Sequence, residues 1–283
     1  KCFWMRVYEI PEGSKTSKGR AIQNLINLEP DDKVKAFICT QDLKDEEYIN
    51  NHYVIMATKK GQVKKTSLEQ YSRPRINGIN AITIREDDEL LEAKLTDGKS
   101  QVMIAVKSGK AIRFEESKTR PMGRNASGVR GITLADDNDE VVGMVAVNDD
   151  EANVLVVSAN GYGKRSKLED YRITNRGGKG VKTISITDKT GELVAIKDVT
   201  DGDDLMIINR SGLAIRMSVD NLRVMGRATQ GVRLINLKGS DSIAAVAKVM
   251  QNEEGNVELD PSVDPENNDP IVDGTTIADD SEE

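Results

Sequence analysis

The sequence predicts an all-β protein built as a propeller-like series of four-stranded blades, and three observations predict it. A hairpin signature recurs four times, a basic glycine loop recurs five times in step with it, and aromatics make up only 4% of the 283 residues. A core so poor in rings has to be assembled from Val, Ile, Leu and Met on many short runs.

The hairpin signature is an apolar run, a glycine turn and a second run carrying basic residues. It reads Val54-Ile55-Met56-Ala57, Gly61, Val63-Lys64-Lys65, and then Val102-Met103-Ile104-Ala105, Gly109, Ile112-Arg113-Phe114. The third and fourth copies are Val154-Leu155-Val156-Val157, Gly161, Lys164-Arg165, and Leu205-Met206-Ile207-Ile208, Gly212, Ile215-Arg216-Met217. The turn glycines stand 48, 52 and 51 residues apart. Short runs rich in β-branched residues and bounded by Gly, Asn and Asp read as strands.

The second marker is a basic loop whose glycine leads into another apolar strand. Its glycines are Gly19, Gly78, Gly128, Gly180 and Gly231, at intervals of 59, 50, 52 and 51. The longer first interval predicts a loop insertion around Asp42–Glu47. Each unit then closes with an acidic turn and a further strand, as in Asp87–Leu95, Asp139–Val145 and Glu192–Ile196. About four strands in roughly 50 residues is a blade. Blade-like units therefore span roughly 1–48, 49–99, 100–150, 151–201 and 202–250. Helix is expected to be scarce, apart from a turn at Ser67–Tyr71 and its counterpart at Ser166–Tyr171. In this register Lys1 falls just after a turn glycine position, in the second strand of a blade.

The net charge of −7 averages two unlike regions. Residues 251–283 hold 12 acids and no base, which leaves 35 acids against 40 bases in residues 1–250. The tail has too little apolar surface to fold alone and is expected to be disordered. It is either a solubilising extension or a competitor for the basic body. Cys2, Cys39 and His52 are too few and too scattered for a zinc site, so reduced, partly buried thiols are expected, with no metal and no cofactor. No apolar run approaches the ~20 residues that span a bilayer. Gly177-Gly178-Lys179-Gly180 lacks the spacing of a phosphate-binding P-loop. Tyr71 and Tyr171 recur ten residues after equivalent glycines, which marks them as packing residues, and Trp4 reads as core.

The units resemble the C-terminal DNA-wrapping domain of the bacterial DNA gyrase A protein, a β-pinwheel. The resemblance is carried by Val7–Glu12 followed by Lys18–Ile22, by Met122–Asn125 with Gly128–Ile132, by Asn160–Arg165 and by Gly226–Val232. It implies six blades, of which about five are present. It also implies duplex DNA wrapped around the rim, and partnership with gyrase B and the rest of gyrase A in an A2B2 holoenzyme. That enzyme drives ATP-dependent negative supercoiling in the bacterial cytoplasm. The cleaving tyrosine and the ATPase would lie outside this chain, which carries no catalytic site of its own. The family's hallmark box, Gln-Arg-Arg-Gly-Gly-Lys-Gly, belongs to its first blade. Thr174–Gly180 keeps the last five positions of it and departs in the first two. That string falls in the fourth unit, blade five of six, so the box itself is expected upstream of Lys1. The corresponding domain of topoisomerase IV, and a protein-binding propeller, are the alternatives.

Holding a line of phosphates requires repeated Lys and Arg rather than base readers. Lys15, Arg124, Arg176 and Arg227 each stand four residues before a loop glycine, and Lys65, Arg113, Arg165 and Arg216 four residues after a turn glycine. The loops add Lys18, Arg20, Arg73, Arg75, Arg130, Lys179, Lys182 and Arg233. These are the expected DNA-binding residues.

Overall fold

In the computed structural model, which describes residues 1–14, 17–29, 32–149 and 151–249, every apolar run of the hairpin signature becomes a strand. Lys15 and the acidic tail at 251–283 lie outside the described residues. The strands are β1 (Tyr53–Thr58), β2 (Gln62–Ser67), β3 (Leu90–Thr96), β4 (Gln101–Val106), β5 (Lys110–Glu115), β6 (Val129–Arg130) and β7 (Val141–Val147). They continue as β8 (Asn153–Ser158), β9 (Tyr162–Lys167), β10 (Val181–Lys182), β11 (Leu193–Val199), β12 (Asp204–Asn209), β13 (Ala214–Ser218), β14 (Val232–Arg233) and β15 (Ile243–Val249). Three sheets have four strands, ordered β3-β1-β2-β6, β10-β5-β4-β7 and β11-β8-β9-β14, and the last has three, β13-β12-β15.

The fourth strand of each complete sheet is supplied by the following unit. Val129 pairs with Val63, Val181 with Ala111, and Val232 with Gly163, all antiparallel. This exchange explains the loop glycine. Gly180 sits at φ 70°, and a Cβ there would lie 2.6 Å from the Ala111 carbonyl oxygen. Only glycine allows the backbone that close in a left-handed conformation.

The N-terminal unit keeps the same joint in reduced form. Cys2 and Ile79 form an isolated antiparallel bridge, with Cys2 N donating to Ile79 O at 2.8 Å and Ile79 N to Cys2 O at 3.0 Å. Cys2 thus occupies the place of Val63, and Ile79 that of Val129. The blade expected over 1–48, the first of the five units, is not built as a sheet among the described residues. Among the described residues the apolar stretch at 33–40 forms no strand.

Burial follows strand alternation between two neighbours rather than between core and water. Val102, Ile104 and Val106 of β4 pack with Ile55, Ala57 and Val63 of the preceding blade. Met103 and Ala105 face the other way, onto Val154, Val156, Leu168 and Tyr171 of the next. Leu155 and Val157 repeat the pattern against Leu205 and Ile207. Each fully covered side chain contributes about 1.5–3 kcal/mol, so the interfaces between blades are the core. Tyr71 and Tyr171 are buried in them, and Trp4, half-buried, donates from Nε1 to the Tyr71 carbonyl at 3.0 Å.

The insertion at 42–47 leads into a short helix, α1 (Glu46–Asn51), whose N-terminus is capped by Asp45 accepting from Glu47 N and Tyr48 N at 3.0 and 3.1 Å. Single 3-10 turns lie at Leu68–Tyr71 and Leu168–Asp170. Both cysteines are unpaired thiols. Cys2 is half-buried, and burial raises its pKa, but Cys39 is exposed, contrary to the expectation of two partly buried thiols.

Candidate nucleic-acid interface

The strand exchange carries each basic loop over to the preceding blade, where it meets that blade's own neighbour loop. Thr83 donates from Oγ1 to Asn125 O at 2.8 Å and from N to Ala126 O at 3.3 Å. One unit on, Thr133 donates from Oγ1 to Gly177 O at 2.7 Å and from N to Gly178 O at 2.9 Å. Ser185 N repeats this with Thr229 O at 3.1 Å. The loops around residues 75–83, 124–133, 176–185 and 227–233 are therefore stitched to one another through main-chain carbonyls. They form one continuous basic edge.

Half-buried Arg176 and Arg227 take part in the stitching. Arg176 donates to Lys118 O at 3.0 Å and Arg130 O at 3.1 Å, and Arg227 to Lys182 O at 2.9 Å. Arg124 is half-buried in the equivalent place. Arg73, Arg75, Arg130, Lys179, Lys182 and Arg233 are exposed on the loops, as are Lys18 and Arg20 at the N-terminal copy. Arg233 also donates to Tyr162 Oη at 2.9 Å. A concavity of about 240 Å³ lies in the Thr174–Gly180 string, lined by Arg172, Thr174, Asn175, Lys179 and the backbone of Gly178 and Gly180.

The strand set does something else. Lys65 is 4% exposed and pairs with Glu116 of the next unit at 3.0 Å, its Nζ also standing 4.2 Å from the centroid of Tyr53. Arg113, 8% exposed, donates to Gln101 Oε1 and to the carbonyls of Leu168 and Tyr171 at 2.7 and 3.0 Å. Arg165, also 8% exposed, holds the Leu222 carbonyl and Asp201. Arg216 remains outside, its side chain 49% exposed and paired with Asp204 at 2.6 Å. The expectation that Lys65, Arg113 and Arg165 touch DNA is corrected. In these three units a further blade packs against the face that carries the charge, so a charge four residues past the turn meets that blade instead of solvent and clamps it.

Two groups escaped the sequence reading. Arg120, Arg172 and Arg223 recur eight residues before a loop glycine and are all exposed. The same in-phase counting would have found them. Lys64 and Lys164 are fully buried beneath the loops. Lys64 Nζ donates to the carbonyls of Ala81 and Arg124, both at 2.5 Å, and Lys164 Nζ to Gly226 O at 2.6 Å and Thr229 Oγ1 at 3.2 Å. Each pKa falls to about 8, mainly through desolvation; Arg124 adds to the fall at Lys64, while at Lys164 Asp170 opposes it and Arg227 adds to it. No group of His, Cys, Asp or Glu among the described residues is arranged to hold a metal. No helix among them is long and apolar enough to cross a membrane.

The family described as DNA gyrase C-terminal domain, beta-propeller, matches residues 1–41, 52–97, 101–148, 152–200 and 203–250. The chain belongs to this family. The gap between the first two matched gyrase segments, 42–51, spans α1. Among its relatives is the DNA gyrase A protein of Staphylococcus aureus (strain NCTC 8325 / PS 47), 45% identical over 255 residues, which make up 90% of this chain and 28% of that protein. The gyrase A protein of strain MRSA252 is 45% identical over 253 residues, 89% of this chain and again 28% of the relative. The chain thus spans under a third of the length of these gyrase proteins. Two solved structures share the fold. The C-terminal domain of DNA topoisomerase IV superposes with a TM-score of 0.77 at 24% identity, over 86% of this chain and 74% of that one. The C-terminal domain of DNA gyrase A superposes with a TM-score of 0.73 at 23% identity, over 87% and 78%.

Proposed function

We propose that this chain binds duplex DNA without sequence preference and bends it along the stitched loops, as the C-terminal domain of a gyrase A protein. The observation that carries the proposal is the continuity of the basic edge. The charged loops of successive units are hydrogen-bonded into one row, so the phosphates of a single duplex meet them in turn. Backbone contacts of this kind position DNA and read its deformability, not its bases. Bending a 20–30 base-pair stretch costs on the order of 1–6 kcal/mol, which several phosphate contacts together offset.

The contact set consists of Arg73, Arg75, Arg124, Arg130, Arg176, Lys179, Lys182, Arg227 and Arg233, with Lys15, Lys18 and Arg20 at the N-terminal loop and Arg120, Arg172 and Arg223 added. Arg172, Lys179 and the glycine backbone around Thr174 form a cup for one phosphate. In the whole enzyme the chain acts in the cytoplasm with gyrase B and the remainder of gyrase A in an A2B2 assembly. Its bending there directs ATP-dependent negative supercoiling. Cleavage and ATP hydrolysis belong to those other parts. A role in topoisomerase IV has the slightly higher structural superposition in its favour, but at under 25% identity that likeness concerns the fold alone. The 45% identity to gyrase A proteins supports the gyrase reading.

Gel shifts of the full chain on random duplexes across a salt series test the proposal. Arg172, Lys179 and Lys182 are exposed, so changing all three to Glu is expected to leave the fold intact. Affinity at 100 mM salt is expected to fall at least about tenfold, and the slope of log affinity against log salt to flatten by about 2.7, roughly 0.9 per phosphate released. Arg113→Met, a clamp residue, is expected to leave the slope unchanged. An unaltered slope in the triple variant would remove the loops from the DNA path.

A further inference from the structure

The loop at Arg73–Gly78 departs from the three loops that follow it at four positions: Arg73 and Arg75 stand where those have small or amide residues, and Pro74 and Ile76 are the other two. Where they carry Arg124, Arg176 and Arg227, it carries Pro74, and where they carry Ala126, Gly178 and Thr229, it carries Ile76. Ile76 is 93% exposed, the most exposed large apolar side chain among the described residues. Isolated apolar residues on a surface are ordinary, but this one stands on a braced tip directly after two exposed cations, Arg73 and Arg75. Gly78 N donates to Arg75 O at 2.9 Å, and the Cys2–Ile79 bridge fixes one foot of the loop. Trp4 holds the Tyr71 carbonyl at 3.0 Å at the other foot. Pro74 fixes its own φ. Arg73 and Arg75 are exposed on either side of Pro74.

We infer that Ile76 is a wedge that enters the stack of the duplex held by the basic edge. The inference rests on the DNA-bending reading above. Arg73 and Arg75 engage the phosphates of the backbone beside the tip, which places the apolar side chain over the groove between them. An aliphatic side chain pushed between base pairs unstacks one step and kinks the duplex by about 20–90°. Pyrimidine–purine steps yield most easily. A wedge has to be stiff, because a flexible tip folds back onto the protein, and both feet of this loop are tied. The other loops of the row, with small or polar residues at the same position, hold phosphates without entering the stack. Curvature along the edge is thus uneven, with one sharp kink at the second unit.

The test uses the full chain and a duplex of about 40 base pairs carrying 2-aminopurine at TA steps one helical turn apart, with fluorophores at its ends for distance. Wild type is expected to raise the 2-aminopurine emission on binding and to shorten the end-to-end distance. Ile76→Ala and Ile76→Ser are expected to abolish the rise and relax part of the shortening, while affinity falls by no more than about tenfold because the phosphate contacts remain. Ile76→Phe is expected to restore the emission. Circular dichroism checks that these exposed changes leave the fold alone. If the alanine variant gives the wild-type emission and distance, the wedge is overturned. The same holds if Ile76→Ala lowers supercoiling by the assembled enzyme with DNA bending unchanged, which makes Ile76 a protein contact. If wild type binds no DNA, or the Arg172/Lys179/Lys182 variant binds as tightly as wild type, it is the DNA-bending reading that fails.

Discussion

The two buried lysines show how a single position is used in opposite ways by equivalent units. Lys64 and Lys164 lie three residues past the turn glycine, where the alternate units have Ile112 and Ile215. Lys64 donates from below to carbonyls of two loops, at Ala81 and Arg124, and Lys164 to the Gly226 carbonyl and the Thr229 hydroxyl of one, and desolvation lowers each pKa from 10.5 to about 8. The unfolded chain therefore holds these two protons up to about pH 10.5, while the folded chain releases them near pH 8. Between those values the unfolded state binds more protons, so stability rises with pH across the window; below pH 8 the burial penalty is full and constant. Tyr71 works the other way. Burial raises its pKa to about 12, so above pH 10 the folded state retains a proton that the unfolded state has lost, and stability declines. Thermal melts are expected to show a rise from pH 7.5 to about 9.5 and a fall beyond 10. In Lys64→Ile/Lys164→Ile the rise is expected to vanish; a rise of the same size would show that these lysines are not its source. Neither lysine was legible as buried. Lys64 and Lys65 are adjacent and of one type, and the sequence does not say which points beneath a loop and which toward the next blade. Lys65, Arg113 and Arg165 were misread for the same reason, since a charge in a strand signals solvent only when one face of the sheet is open.

At the level of the element, the hairpins were legible and the partners of their edges were not. Turn glycines at regular spacing fix β1–β2, β4–β5, β8–β9 and β12–β13, because each turn is local. The exchanged strands β6, β10 and β14 are only two residues long and pair across units, which leaves no periodicity to read. What the sequence did show is the glycine before each of them, without its reason. Gly180→Ala places a Cβ against the Ala111 backbone at positive φ, and is expected to cost about 1–3 kcal/mol. Urea denaturation measures this. A loss under about 0.5 kcal/mol would mean that the exchange joint is looser than its geometry. The same change at Gly202, whose Cβ would meet nothing within 4 Å, isolates the backbone part of the cost.

Across the whole molecule, the repeat count was legible to within the N-terminal unit, which has the loop motif of a blade but forms, among the described residues, a single bridge. The last blade differs in the opposite sense. Its β13 pairs with β12 on one side and, among the described residues, with no strand on the other, while Ile208 on its outer face is exposed. Arg216, the equivalent of the clamps Arg113 and Arg165, turns back to Asp204 of its own blade. Local stability follows burial and paired backbone. Amides of β13 are therefore expected to exchange with deuterium at least about tenfold faster than those of β9. Equal protection would show that something covers this edge.

The row of loops is joined by threonine and serine to peptide carbonyls, whereas the exposed charges hang outside that seam. Grip and curvature are consequently separable properties. Swapping surface lysines and arginines during evolution retunes how firmly a duplex is held, while the broad arc beneath any local kink is inherited from the peptide skeleton and drifts when a unit is added, lost or re-spaced.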